Sequence, residues 1–503
     1  MRASWEAVSQ RGRGTVGWLR VLLCLAAVGC GGWPEVPSRG GPRWLSLTSE
    51  HFVLLTDATD ARARALSTSL ERQLHALCQL GFSCSGELRL KLRVIALADR
   101  AQFERVFGPL YASISVQELL LEPVVVLSDG HASDSLVALN RVLAVYLASQ
   151  AMGPMPVWLT KGLGAYFEGA RYDADGAFVV GSVPRHHALW LHGHPRIPSA
   201  QLLDPQAHFR DPEVITPSAW LLVHYLMSER SADFAAFQAA LGSGRSLTES
   251  FHEAFNDLSP ERLDGLLDRY AELGNYISFS KQITAKASEP QIGALSDGDV
   301  YALRAELASI GSDGGEDSAR EVDENLARAL ASDQAHVRAS VLRAQRQGNP
   351  GPAQLAEAQA LARAHPDSPL AQVHLAVQRA RVGAPDSCAP ELLAKLESLS
   401  PRDPYALALR ASCTQAAGDA EAALGLSKRA LALAPNNLKL MLAHAQLLYA
   451  QHACSELRSL LERVRSHARH EYQLDFERLP EPRPHRQVVL EVHRRSRLAD
   501  SDL

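Results

Sequence analysis

The chain has 503 residues, 46% of them hydrophobic and 21% charged, with a formal net charge of −5. That composition excludes a disordered chain, supplies material for two or three globular domains, and gives no electrostatic reason to expect nucleic-acid binding. Only 7 of the 51 basic residues are Lys, so the arginine richness is a compositional habit that points to no ligand.

The chain opens on what reads as an export signal. Arg2, Arg11, Arg13 and Arg20 precede the apolar run Val21 to Val28, which is too short to span a bilayer as a mature helix. Ala27-Val28-Gly29-Cys30 resembles a bacterial lipoprotein cleavage box. The resemblance implies removal of residues 1–29, a lipid on Cys30, and a place in the cell envelope facing the periplasm or the cell surface. An exported chain meets oxidising conditions. Cys78 with Cys84, and Cys388 with Cys413, are therefore candidate disulfides, with packing as small buried hydrophobes the alternative. None of them has metal-ligand spacing.

Residues 44–276 form the next unit. His51 to Thr56, Glu87 to Leu97 and Pro123 to Leu127 are β-branched or alternating and predict strands, Ala61 to Leu80 has helical spacing, and the chain after Ser133 reads as mostly helical. The expectation is an α+β domain, a small sheet in front of a helical body. Periodicity lapses over 277–299, which predicts a linker, and with few contacts crossing it a fragment starting near Asp299 should fold alone.

From 300 to 470 alanine and leucine dominate without strand signal. Pro404 to Asn437 is a 34-residue unit with Leu407, Ala411, Gly418, Ala423, Ala430 and Pro435 at helix-turn-helix spacing. Val377, Ala389, Leu396 and Pro401 stand at the same offsets one unit earlier. The pattern resembles the tetratricopeptide (TPR) repeat, in three to five copies. It implies an all-α TPR solenoid whose groove takes a protein or peptide partner. Residues 471–503, with Pro480, Pro482, Pro484 and dense charge, read as a loosely held tail.

The stretch that should carry chemistry is Pro156-Val-Trp-Leu-Thr-Lys-Gly-Leu-Gly-Ala-Tyr-Phe-Glu168. It resembles the P-x-W-L-x-E-G-L-A-E-Y-F-E segment of gluzincin peptidases of the peptidase MA-like type, and the likeness extends through Glu50 to Leu80 and Ser218 to Leu226. In that family a preceding H-E-x-x-H helix supplies two zinc-binding histidines and the general base, and the glutamate of W-L-x-E-G is the third ligand. Here Arg141, Val142, Val145 and Lys161 take those four places. A register shifted by one gives Asn140, Arg141 and Ala144, and Asn140 to Ala148 contains no His, Asp, Glu or Cys in either case.

The resemblance therefore implies an inactive zinc-peptidase relative: not an enzyme, with no catalytic residue, metal or cofactor at those positions. Arg141 and Lys161 should lie near each other, and burial of two cations requires solvent or an anion, with Glu168 and Asp134 in reach by sequence. His186, His187, His192 and His194, in a Pro-flanked stretch that reads as a loop, are the remaining metal candidates, with His208 beyond them. They support the alternative reading, a metal-dependent hydrolase with a non-standard site, against plain surface histidines. Gly242-Ser243-Gly244-Arg245 reads as a turn, His224 as a core histidine, and no G-x-S-x-G elbow is present. The combined expectation is an envelope scaffold, anchored to a membrane by its N-terminal lipid and holding a protein partner.

Overall fold

A computed structural model describes residues 32–471 apart from 83–90, 110–112, 120–121, 130–131, 205–206, 208, 210–211, 284–288, 312–315, 348–350 and 385. The export signal, Cys30, Cys84, His208 and the tail beyond Glu471 lie outside the described residues.

A six-stranded sheet organises the first half. Its order is β4 (Ser113–Leu119), β5 (Glu122–Ser128), β3 (Leu92–Leu97), β2 (Phe52–Thr56), β1 (Leu45–Thr48) and β9 (Gln291–Ala294). The central strands β5, β3 and β2 run parallel, and the flanking pairs are antiparallel.

All six residues of β3 are buried, which alternation explains only if both faces of the sheet are covered. Leu92, Val94 and Ala96 join Val125 and Leu127 in a core closed by α1 (Asp60–Leu77) and α3 (Ala132–Met152). Ile95 and Leu97 join Val124 and Val126 in a second core. That second face is covered by α2 (Arg100–Phe107), through Phe103 and Phe107, and by Val300, Leu303 and Leu307 of α11 (Asp297–Gly311).

Behind the sheet lie α4 (Val157–Glu168), the short β6 (Arg171–Tyr172) and β7 (Ala177–Val180), α5 (Arg185–Gly193), α6 (Ser199–Leu203), α7 (Pro212–Glu229), α8 (Ser231–Gly242), α9 (Leu247–Ala254) and α10 (Pro260–Leu273). Strand β8 (Phe279–Gln282) pairs with β7 to complete a second, three-stranded sheet.

Two expectations are corrected here. The stretch 277–299 is not a linker, because β8 and β9 build it into both sheets and α11 begins at Asp297. The domain also begins before residue 44: Val36 belongs to the second core, and Trp33 lies under the guanidinium of Arg105, 4.5 Å from its ring centre.

Among the described residues from Asp297 to Glu471, ten helices follow one another as five hairpins. They are α11 with α12 (Glu316–Ser332), α13 (Val337–Arg346) with α14 (Pro352–Ala364), α15 (Pro369–Arg381) with α16 (Pro390–Leu399), α17 (Pro404–Ala416) with α18 (Ala420–Leu433), and α19 (Leu438–Ala450) with α20 (Cys454–Glu471). The sequence sets these boundaries through caps. Ser368, Asp403 and Asn437 accept backbone hydrogen bonds at the starts of α15, α17 and α19, and Pro369 and Pro404 sit at the first helical position, where no N–H is needed. Gly383 and Gly418 turn the chain after α15 and α17 at φ 66° and 93°, a conformation that favours glycine. Pro401 and Pro435 follow the ends of α16 and α18. The helical array is thus a run of helix-turn-helix hairpins.

Candidate functional site

The site is built where α3 and α4 meet. Two glycines of α4 allow close approach on opposite sides. A Cβ on Gly164 would stand 2.9 Å from Cγ of Arg141 and 3.4 Å from Val145, while one on Gly162 would stand 2.5 Å from the Ala219 carbonyl oxygen of α7. Helix α4 is therefore wedged between α3 and α7, and its residues from Gly162 to Glu168 are buried. Asn140 fastens the lower end by donating from Nδ2 to the Ala170 carbonyl at 2.6 Å.

This packing places Arg141 and Val145 of α3 on the face turned to α4. Lys161 is half-buried; burial foremost, then the charge of Arg141, lowers its pKa. Arg141 donates from Nη2 to the Glu168 carboxylate, with 48% of the Arg141 side chain exposed and 3% of Glu168. The anion is thus Glu168, the last residue of α4; the Asp134 side chain lies outside the described residues. Val142 is 6% exposed, in the core.

The positions that the resemblance to gluzincins assigns to zinc ligands hold a guanidinium, a valine and an amine here. A guanidinium and a valine have no lone pair to give, so the residues do not fit a metal at that place.

One turn beyond, the chain brings two histidines to the same carboxylate. Residues 185–193 are helical rather than a loop, because Pro184 is the residue before the helix and Pro195 follows it; neither interrupts its hydrogen bonds. His186 and His187 turn Nε2 towards Oε1 of Glu168, at 3.4 and 3.6 Å. His187 is buried, its Nε2 makes no hydrogen bond, and its pKa is pushed down to about 3, by burial foremost and then by His186 and Arg141. It is neutral at pH 7. His192 and His194 do not join this group: both are exposed, and His194 stacks on Trp190 at 4.8 Å.

Elsewhere the predicted residues fall as follows. Cys388 and Cys413 are bonded to each other, with Cα atoms 5.5 Å apart, tying the segment before α16 to α17. Cys78 is also disulfide-bonded. Gly242 to Arg245 is the turn between α8 and α9. His224 is fully buried, within hydrogen-bond distance of the Tyr270 hydroxyl at 2.8 Å and the Gly181 carbonyl at 3.0 Å. Sequence reasoning missed the role of Glu168 as the hub of the cluster. Its signal was present: a carboxylate on an otherwise apolar helix, seven residues after Lys161, has to find a partner if it is buried.

The sequence matches no family model and no curated protein. Among solved structures, the chain is similar to a point mutant of MamA, with 17% identity over 33% of this chain and 95% of that one and a TM-score of 0.24. It is similar to a second MamA structure at 9% identity, covering 37% and 98% of the two chains, with a TM-score of 0.25. A human IFIT1 dimer with m7Gppp-AAAA shares 13% identity over 57% of this chain and 62% of that one, with a TM-score of 0.26. Likenesses of this size say nothing of activity.

Proposed function

We propose that this chain is a non-catalytic, protein-binding scaffold of a bacterial cell envelope, in which a peptidase-like domain without its zinc site is coupled to TPR-type repeats. The observation that carries the reading is the α3–α4 face. Arg141 and Val145 pack against Gly164 on this face, Lys161 lies on the same helix as Gly164, none of the three is a usual zinc ligand, and the charge of Arg141 is neutralised by Glu168, which supports the reading of a peptidase-like site without its metal. Without a metal at that place there is no activated water, and Val142 cannot accept a proton. The five hairpins support the binding role, since stacked repeats offer an extended surface for a peptide or helix.

Membrane attachment rests on Cys30. Among the described residues no helix is long and apolar enough to cross a membrane. Trp33, three residues after Cys30, is already packed against Arg105 and donates to Glu321. A lipid on Cys30 would therefore hold the domain on a leash of about 10 Å, close against the bilayer.

Three measurements test the proposal. Purified full-length protein should show no chelator-sensitive cleavage of unfolded polypeptides; such cleavage overturns the non-catalytic reading. Cys30→Ser should leave a longer, unlipidated N-terminus and release the chain from membranes, and unchanged retention with an unchanged N-terminus removes the anchor. The set Arg141→His, Val142→Glu, Val145→His and Lys161→Glu, made with His186→Ala to silence the neighbouring histidine, should gain zinc binding if the scaffold is peptidase-like. No gain counts against that ancestry.

A further inference from the structure

We propose that Glu168, His186 and His187 form a binding site for a first-row divalent transition metal, distinct from the position at which a gluzincin holds its zinc. The ligand atoms of these three residues lie within 4.8 Å of one another.

The spacing itself points to an ion. Nε2 of His186 and of His187 stand 3.4 and 3.6 Å from Oε1 of Glu168, too far for a good hydrogen bond between nitrogen and oxygen. Two ligands on a tetrahedral zinc, each bonded at about 2.0–2.1 Å, are separated by about 3.3–3.4 Å. The observed separations match that edge to within a few tenths of an ångström.

The state of the ligands agrees with the spacing. His187 is buried and its Nε2 has no hydrogen bond, which leaves a costly orphan unless something occupies the space it faces. The carboxylate of Glu168 is buried and divides its oxygens: Oε2 goes to Arg141 and Oε1 to the imidazoles. Arg141 thus orients the carboxylate while leaving one oxygen free, the part an outer-shell partner plays in metal sites. Its guanidinium is half exposed, so solvent screens its repulsion of an incoming cation.

Two imidazoles and one carboxylate suit zinc and its first-row neighbours better than magnesium or calcium, which prefer oxygen. Three protein donors leave a fourth position for water or for a donor from a partner. The cluster, Glu168 with His186 and His187, is assigned the binding of the ion. An ion there would clamp α5 to the end of α4.

The test uses the full-length protein, stripped by chelator and titrated with zinc alone by calorimetry, then with cobalt(II) to read the coordination from its visible absorption. His186→Ala removes one ligand from an exposed side chain and leaves the core intact. It should weaken zinc binding by at least about tenfold and reduce the intensity of the cobalt bands. His192→Ala with His194→Ala, on the same segment but outside the cluster, should change neither. Wild-type zinc binding weaker than about 1 mM overturns the proposal. So does equal binding by wild type and His186→Ala, or an equal loss in the His192/His194 control.

Discussion

Glu306→Ala is the sharpest test of how the two halves of the molecule are joined. Arg93 leaves β3 on the face covered by the repeats, and its Nη1 meets Oε2 of Glu306 on α11 at 2.5 Å, with side-chain exposures of 6% and 1%. The other carboxylate oxygen accepts from Arg338 of α13 at 3.2 Å, and Arg338 also pairs with Glu122 of β5. One carboxylate thus bridges the sheet and two helices of the array. Burial pulls the Arg93 guanidinium below its ordinary pKa even though Glu306 opposes the shift, which shows how little water reaches it.

Removing the carboxylate leaves Arg93 buried without its counterion, a change that costs about 3–5 kcal/mol, a large share of the roughly 5–15 kcal/mol that holds a domain folded. Urea denaturation followed by far-ultraviolet circular dichroism gives the difference. The double change Arg93→Met with Glu306→Met, which removes both charges and keeps volume, should recover most of the loss. A cost below about 1 kcal/mol for Glu306→Ala, the range of a solvated surface pair, would refute the reasoning. The same junction leads to an outcome opposite to independent folding for a fragment starting near Asp299. Such a fragment bares Val300, Leu303 and Leu307, which the sheet covers, and should melt without cooperativity or aggregate.

Three further outcomes follow from particular contacts. Replacing Cys388 and Cys413 by Ser opens a loop with a sequence separation of 25 and should lower stability by about 3–4 kcal/mol, read from urea midpoints with the wild type under oxidising conditions. Gly162→Ala drives a methyl against the Ala219 backbone carbonyl and should cost about 1–3 kcal/mol, whereas Gly164→Ala meets the flexible Arg141 side chain and should cost less; thermal melts ranking them the other way would contradict the wedge at α4. His374 and His444 are buried, and burial foremost, then Arg381 and Lys428 respectively, lowers each pKa to about 4 from 6.5. Because the unfolded chain takes up these protons first, stability present above pH 6.5 is lost as pH falls towards 4, by up to about 1.4 kcal/mol per pH unit for each imidazole. Asp403, raised by burial to about 6 from 3.8, acts in the opposite sense between those values. His374→Gln with His444→Gln should therefore flatten the acid slope of the urea midpoint between pH 7 and 5, and an unchanged slope would count against neutral burial of both.

The sequence announced some elements and hid others for physical reasons. Strands β2, β3 and β5 were visible because they lie in the middle of the sheet and are apolar on both faces. Strands β8 and β9 were not: Phe-Ser-Lys-Gln and Gln-Ile-Gly-Ala are largely exposed edge strands, held by main-chain hydrogen bonds that leave no hydrophobic pattern. The helix boundaries of the repeats were legible in Pro401, Pro435 and Gly418, since proline and glycine fix the backbone by their own covalent structure. What no local pattern could give was the second core, in which residues 36 to 126 and 300 to 371 meet. The candidate site divides in the same way. That Arg141 and Val145 offer a metal no ligand followed from residue types alone, but the approach of His186 and His187 to Glu168 depends on how α5 folds back on α4.

The sheet needs the repeats as much as the repeats need the sheet. Ile95, Leu97, Val124 and Val126 share one core with Phe103 and Phe107 of α2 and with Val300, Leu303 and Leu307 of α11, so the first hairpins complete with α2 the outer layer of the first domain. The last hairpin returns to the same body. Ser459 of α20 donates to the Gly244 carbonyl at 2.6 Å, and Arg463 donates to the Met152 carbonyl at the end of α3 at 3.2 Å. The array is therefore held at both ends and is not a free arm. Helix α3 carries Met152 at one point and Arg141 eleven residues earlier, about 16 Å along the axis. The same helix thus meets α20 at its Met152 end and positions Arg141 against Glu168.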